Sequence, residues 1–114
     1  MQEPTFLILT ALAAGPQHGY GIMTDVDSIS AGRVRLRAGT LYAALDRLRS
    51  DGTIEVEREE IVDGRLRRYY RLTPSGTAAL SAETERLQSN ARVAARRLRK
   101  LAAPGGQVPA GGTA

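Results

Sequence analysis

Few side chains in this 114-residue chain could do bond chemistry, and what they could do is narrow. There is one histidine, His18, and no cysteine. Thiol chemistry, disulfides and Cys-ligated zinc are therefore excluded, and any Ser-His-Asp arrangement would have to be built on His18. No serine or aspartate stands in a nucleophile-like context. Glu55, Glu57, Glu59 and Glu60 crowd into one short run; catalytic carboxylates need a cleft, and a solvated strand face is the simpler expectation. Gly19-Tyr20-Gly21 is too short for a phosphate-binding loop and is not followed by Lys-Ser or Lys-Thr. No spacing suits a metal. Neither enzyme chemistry nor a cofactor is expected.

The remaining chemistry is cationic. The net charge is +4 and the isoelectric point about 10.1, which favours an anionic partner: nucleic acid, a membrane surface or an acidic protein. Of the sixteen basic residues, Lys100 is the only lysine. The arginine fork suits phosphate and guanine, although the codon bias of a GC-rich genome accounts for the ratio equally well. Three arginines, Arg65, Arg67 and Arg68, stand in four positions directly after Asp63-Gly64. That dipeptide is a hairpin turn signal, so these cations sit at the tip of a hairpin. They could reach along a duplex backbone or into a minor groove, or pair across the hairpin with Glu57, Glu59 and Glu60.

The elements that must position these groups follow from periodicity. Residues 4–14 form a first helix, with Pro4 in its first turn and apolar residues almost all round, stopped by Gly15-Pro16. Residues 17–30 form a second unit opened by Gly19-Tyr20-Gly21, with Ile22, Met23, Val26 and Ile29 on one face. Glycines inside a helix cost about 1 kcal/mol each relative to alanine, which suggests that something approaches the backbone there. Residues 33–37 alternate strictly and read as a short strand or an extended connector. A third helix covers about residues 39–51, with Leu41, Leu45 and Leu48 as its core stripe and Gly52 as its stop. Ile54 and Val56 face inward on one hairpin strand and match Tyr70 and Leu72 on the other.

Thr73 is the expected N-cap and Pro74 the first-turn residue of the last helix. From there Leu80, Thr84, Leu87, Ala91, Ala94, Leu98 and Leu101 recur in alternating steps of four and three, a heptad seam suited to a second copy of the chain. The basic residues near its end could also mark a membrane-surface helix, but the aromatic apolar face of such helices is missing. The Gly- and Pro-rich stretch 103–114 is expected to be disordered. The apolar run from Phe6 to Ala14 is too short to span a bilayer, and Met1-Gln2-Glu3-Pro4 lacks a basic leader, so a cytoplasmic protein is the default.

The fold class expected is mainly α with a small β-hairpin: a winged helix-turn-helix over residues 1–73 and a long C-terminal dimerisation helix over 74–102. A recognition helix touches base edges near its start, where Gly39, Thr40 and Tyr42 stand; Tyr42 could equally be half-buried packing. Arg47 and Arg49 could contact phosphate or merely solvate the helix.

Three ordered segments carry a family resemblance: His18-Gly19-Tyr20-Gly21-Ile22; Gly39-Thr40-Leu41-Tyr42-Ala43-Ala44-Leu45-Asp46-Arg47-Leu48 with Gly52; and Arg68-Tyr69-Tyr70-Arg71-Leu72-Thr73 with Gly76. Over about residues 4–80 the chain resembles the PadR family of transcriptional regulators, of the short type with a single C-terminal helix. The resemblance implies a dimeric repressor whose third helix enters the major groove and whose wing contacts DNA. Gly39, Thr40 and Tyr42 then match the start of the recognition helix, Arg65, Arg67 and Arg68 the wing, and Tyr20 a segment near the DNA backbone. Gly21, Ala43 and Leu66 depart from the family, which often has an acidic residue, a proline and a proline there. The implied partners are double-stranded DNA bearing a pseudo-palindromic operator, a second subunit and, as for many members, a small-molecule effector. With no tryptophan and no aromatic after Tyr70, an aromatic clamp from the last helix is not available. The competing reading is a winged-helix module whose basic hairpin binds an acidic protein surface, with no operator. The site residues carried forward are Tyr20, Gly39, Thr40, Tyr42, Arg47, Arg65, Arg67 and Arg68 for DNA, and Leu80, Leu87, Ala91, Ala94, Leu98 and Leu101 for the dimer.

Overall fold

The apolar periodicity resolves into seven elements in a computed structural model that describes residues 1–104. They are α1 (Glu3–Ala13), β1 (Gln17–His18), α2 (Gly19–Ile29), α3 (Ala38–Ser50), β2 (Ile54–Val62), β3 (Arg65–Leu72) and α4 (Pro74–Ala102). From residue 105 onward the stretch expected to be disordered lies outside the described residues. The architecture is the expected winged helix-turn-helix with a long last helix. Its sheet, however, has three antiparallel strands in the order β1-β3-β2 rather than a hairpin alone. The added strand β1 is two residues long and pairs Gln17 with Tyr70 and His18 with Tyr69. Two residues show no alternation, so a strand that short has no pattern to read.

The core is aliphatic, as a chain with one Phe and no Trp requires. Leu7, Ile8, Leu9, Ala11 and Leu12 of α1 meet Ile22 and Val26 of α2, Leu41, Ala44, Leu45 and Leu48 of α3, Ile54 of β2 and Tyr70 of β3. Ile29, expected on the inner face of α2, is instead exposed at the end of that helix.

The helix ends follow their sequence signals. Past α3, the Thr53 N–H donates to the Leu48 carbonyl and the Gly52 N–H to the Arg49 carbonyl, the paired bonds of a Schellman stop. At α4 the Thr73 hydroxyl accepts from the Gly76 N–H at 3.0 Å and donates to the Gly52 carbonyl at 2.6 Å. One threonine thus caps α4 and ties it to the end of α3. Gly76 is buried there, and a side chain is excluded because a Cβ at that position would run into the carbonyl oxygen of Thr53. Residues 33–37 are a connector, not a strand. Buried Ser30 holds its start: the hydroxyl accepts from the Val34 N–H at 3.0 Å and donates to the carbonyls of Val34 and Asp27 at 3.2 and 3.3 Å.

The chain divides into two compact units, Met1–Glu83 and the part from Thr84 onward. In the first, Leu80 packs against the core cluster. In the second, Leu98 and Leu101 are 65% and 54% exposed, and Leu87, Ala91 and Ala94 are exposed too. No helix among the described residues is long and apolar enough to cross a membrane.

Candidate nucleic-acid interface

With Leu41, Ala44, Leu45 and Leu48 turned inward, the 100° step of the helix fixes the outer surface of α3. Gly39, Ala43, Asp46 and Ser50 fall along the line opposite the core. Thr40 and Arg47 form one border, Tyr42 and Arg49 the other. The two residues expected to make a single reading edge, Thr40 and Tyr42, therefore lie on opposite sides of the helix.

Each border looks into a different depression. Tyr42 and Asp46 share an open cleft of about 850 Å³ with His18, Gly19 and Tyr20 at the start of α2 and with Arg65, Leu66, Arg67 and Arg68 of the wing. Gly39, Thr40 and Arg47 line a smaller groove of about 460 Å³ against Gln2, Pro4 and Thr5. There Arg47 donates to the Thr5 hydroxyl at 3.1 Å. Of the residues expected to bind DNA, Tyr20, Tyr42, Arg65, Arg67 and Arg68 come together in the cleft; Gly39, Thr40 and Arg47 do not. His18 and Asp46, which are not among the residues carried forward for DNA, line the cleft as well.

For Gly19, the first of the two glycines of α2, the close approach has its cause. The Tyr42 hydroxyl lies so close over Gly19 that a Cβ there would collide with it, and would sit 2.7 Å from Cζ and 3.2 Å from Cε1. Tyr42 is thus anchored at its tip while 46% exposed; it is half packing and half free surface. Tyr20, 74% exposed, projects from the first turn of α2. His18 caps that helix, its Nδ1 accepting from the Gly21 N–H at 3.2 Å, which requires the unprotonated nitrogen. Burial, and then the charge of Arg67, hold the imidazole pKa below its usual value, against a smaller opposing pull from Glu60.

The wing is built on a register change. Ile54 pairs with Leu72 and Val56 with Tyr70, as expected; then Glu57 is bulged out, and Arg58 pairs with Tyr69. The turn closes at Asp63 and Gly64, with φ of 51° and 75°, the double left-handed geometry of a two-residue hairpin. The bulge places Glu59 opposite Arg68, and Arg68 Nε donates to Glu59 at 2.6 Å. Arg71 pairs with Glu55 at 2.8 Å and Arg58 with Glu57 at 2.7 Å. Arg58 also lies over the Tyr69 ring, 3.8 Å from its centre, while the Tyr69 hydroxyl donates to Glu60 at 2.6 Å and its ring meets His18 edge-on. Buried Tyr70 below has its hydroxyl pKa raised chiefly by burial. Cross-strand pairing thus takes Arg68 and Arg71. Among the described residues no carboxylate lies within ion-pair distance of Arg65 or Arg67, so the wing tip keeps two uncompensated guanidinium groups on the sheet face that carries Tyr69, at the margin of the cleft.

A helix with a slim outer line, set beside a hairpin whose tip is cationic, is the arrangement expected of a duplex reader. Comparison with known proteins agrees. The model of the "Transcriptional regulator PadR-like family" matches residues 8–82. The chain belongs to the PadR-like family. That family is one of transcriptional regulators, not of enzymes. "Transcriptional regulator Rv3488" of Mycobacterium tuberculosis is 48% identical over 58 residues, which cover 51% of this chain and 53% of that protein. The chain thus matches about half the length of this relative. Among solved structures, a PadR family transcription regulator from hypervirulent Clostridium difficile R20291 superposes with a TM-score of 0.71 at 25% identity, over 85% of this chain and 99% of that one. Bacillus subtilis PadR, solved in complex with operator DNA, superposes with a TM-score of 0.65 at 24% identity, over 73% and 48%.

Proposed function

We propose that this PadR-family regulator acts as a sequence-specific, cytoplasmic DNA-binding repressor that occupies a pseudo-palindromic operator as a homodimer. In this reading residues 1–73 are the DNA-binding domain and residues 74–102 the dimerisation helix. The observation that carries it is the cleft itself: uncompensated Arg65 and Arg67 line it together with Tyr20 and with Tyr42 at the edge of a slim α3 surface. The major groove would take the outer line of α3. Phosphates would meet Arg47 and Thr40 on one border, and Tyr42, Tyr20 and the wing arginines on the other. The operator complex of Bacillus subtilis PadR supports this use of the fold.

A repressor reading an inverted repeat needs two copies at a fixed spacing. Leu87, Ala91, Ala94, Leu98 and Leu101 offer an exposed seam for the second copy, whereas Leu80 is engaged with its own core. Family resemblance adds a small-molecule effector, which would have to bind without an aromatic from the last helix, since Tyr70 is the last aromatic in the chain.

Selection of bound duplexes from a random pool by the purified protein tests the proposal. Two inverted half-sites are expected, and Tyr42→Ala should lose the specific component while staying dimeric. Binding to every duplex alike, or recovery of an acidic protein partner with no selected DNA, would sink it.

A further inference from the structure

The outer line of α3 carries one charge, and it has the wrong sign for a polyanion. Gly39 and Ala43 are small, and a Cβ added at Gly39 would meet open space. Ser50 is a short hydroxyl. Between Ala43 and Ser50 stands Asp46, exposed and in no ion pair among the described residues. The nearest cations on the helix do not cover it: Arg47, one residue on, reaches the other way to Thr5, and Arg49, three residues on, makes no ion pair with it. From the wing, Arg68 is held by Glu59, and Arg65 and Arg67, which line the same cleft, make no ion pair with Asp46.

From this we infer that Asp46 reads a base, and that the base is cytosine. The inference rests on the DNA-binding reading above. A carboxylate in a groove walled by two phosphate strands is repelled unless it sits between them and finds a donor. Asp46 lies on the outer line between the two borders, on the Tyr42 side of it, and Gly39 and Ala43 let the helix approach closely enough for a short side chain to reach the base edges. An ionised carboxylate only accepts hydrogen bonds. In the major groove the donors on base edges are the amino groups of cytosine and adenine. Adenine sets its N7 acceptor beside that amino group, where it would face the second carboxylate oxygen. Cytosine carries only a C–H beside its amino group. Cytosine is thus the base a bare carboxylate tolerates best.

The experiment is random-pool selection followed by binding titration with the full chain, for wild type, Asp46→Ala and Asp46→Asn. Wild type should show one position per half-site fixed as cytosine, and changing it should weaken binding about 10-fold or more. Asp46→Ala should bind the original and changed duplexes alike while keeping every other preference. Asp46→Asn, which can donate and accept, should shift that position toward adenine. If wild type selects a defined operator and both variants select the same one with the same discrimination, Asp46 reads nothing and the inference is overturned, with the DNA-binding reading intact. If wild type selects no sequence at all, that reading fails and takes this inference with it.

Discussion

The contact of Tyr42 with Gly19 predicts that adding one methyl group at Gly19 should damage operator recognition while hardly changing stability. In Gly19→Ala the new Cβ must displace the Tyr42 hydroxyl, and its 2.7 Å and 3.2 Å approaches to the ring carbons mean that the whole ring tip moves. The neighbour is the end of a half-exposed side chain, not backbone, so it can swing. An off-rotamer shift of that kind costs about 0.5–1.5 kcal/mol. Replacing a helical glycine by alanine returns up to about 1 kcal/mol. The two nearly cancel, so unfolding free energy should change by less than about 1 kcal/mol. In a Tyr42→Ala background nothing is left to displace, and Gly19→Ala should then stabilise by up to about 1 kcal/mol, a rise in Tm of about 4–8 °C for a small domain. The coupling in this double-mutant cycle is therefore about 0.5–1.5 kcal/mol. Urea unfolding of the four proteins measures it. On DNA, Gly19→Ala should lose about 10-fold in operator affinity, one hydrogen bond's worth. If Gly19→Ala costs the same stability with and without Tyr42, or leaves operator binding unchanged, the packing role assigned to Tyr42 is wrong.

His18 should make the fold acid-sensitive: its folded pKa lies below the unfolded value of 6.5, so stability is full above that value and falls as pH drops below it. Scanning Tm from about pH 7.5 to about pH 5.5 should show a larger drop for wild type than for His18→Asn, which caps without titrating. Arg67→Ala should weaken binding to all duplexes alike and flatten the slope of log affinity against log salt by about 1; an unchanged slope would place Arg67 off the backbone. Leu98→Asp with Leu101→Asp should sediment as a folded monomer, and a persisting dimer would move the seam elsewhere. Gly76→Ala should destabilise by about 1–3 kcal/mol, because the atom in its way is a backbone carbonyl; an unchanged midpoint in urea would mean that α4 can shift there freely.

How much of this was legible in the residues depends on the kind of signal. The helices were, because Leu41, Leu45 and Leu48, the Thr73-Pro74 start and the Gly52 stop act through neighbours in sequence. The strand β1 was not, since its two residues are held by Tyr69 and Tyr70, some fifty positions away. Gly19 of α2 declared a close approach without naming the intruder, because Tyr42 arrives from another helix. Thr40 and Tyr42 were grouped by nearness to the start of α3; the 200° between them on the helix, available from the sequence, separates them.

The wing shows a constraint that was present in the sequence and could be read only by combining two observations. A two-residue turn at Asp63 and Gly64 forces Val62 opposite Arg65. Burial of Ile54 and Leu72 forces those two opposite each other. Counting inward from the two ends, β2 has one residue more than β3 can match, so one must bulge; it is Glu57. The consequence is electrostatic. In an unbroken ladder starting from Ile54 and Leu72, Arg58 would face Arg68, two cations opposed. After the bulge Glu59 faces Arg68 and holds it, while Glu60 is taken up by Tyr69 and Arg58, although it stands opposite Arg67. The same one-residue step that lets the core pack and the turn close moves Glu59 from Arg67 to Arg68 and brings Glu60 opposite Arg67 instead. The charge of Arg67 stays free because Tyr69 and Arg58 hold Glu60, and that of Arg65 because it faces Ile61 in one register and Val62 in the other, with a carboxylate in neither.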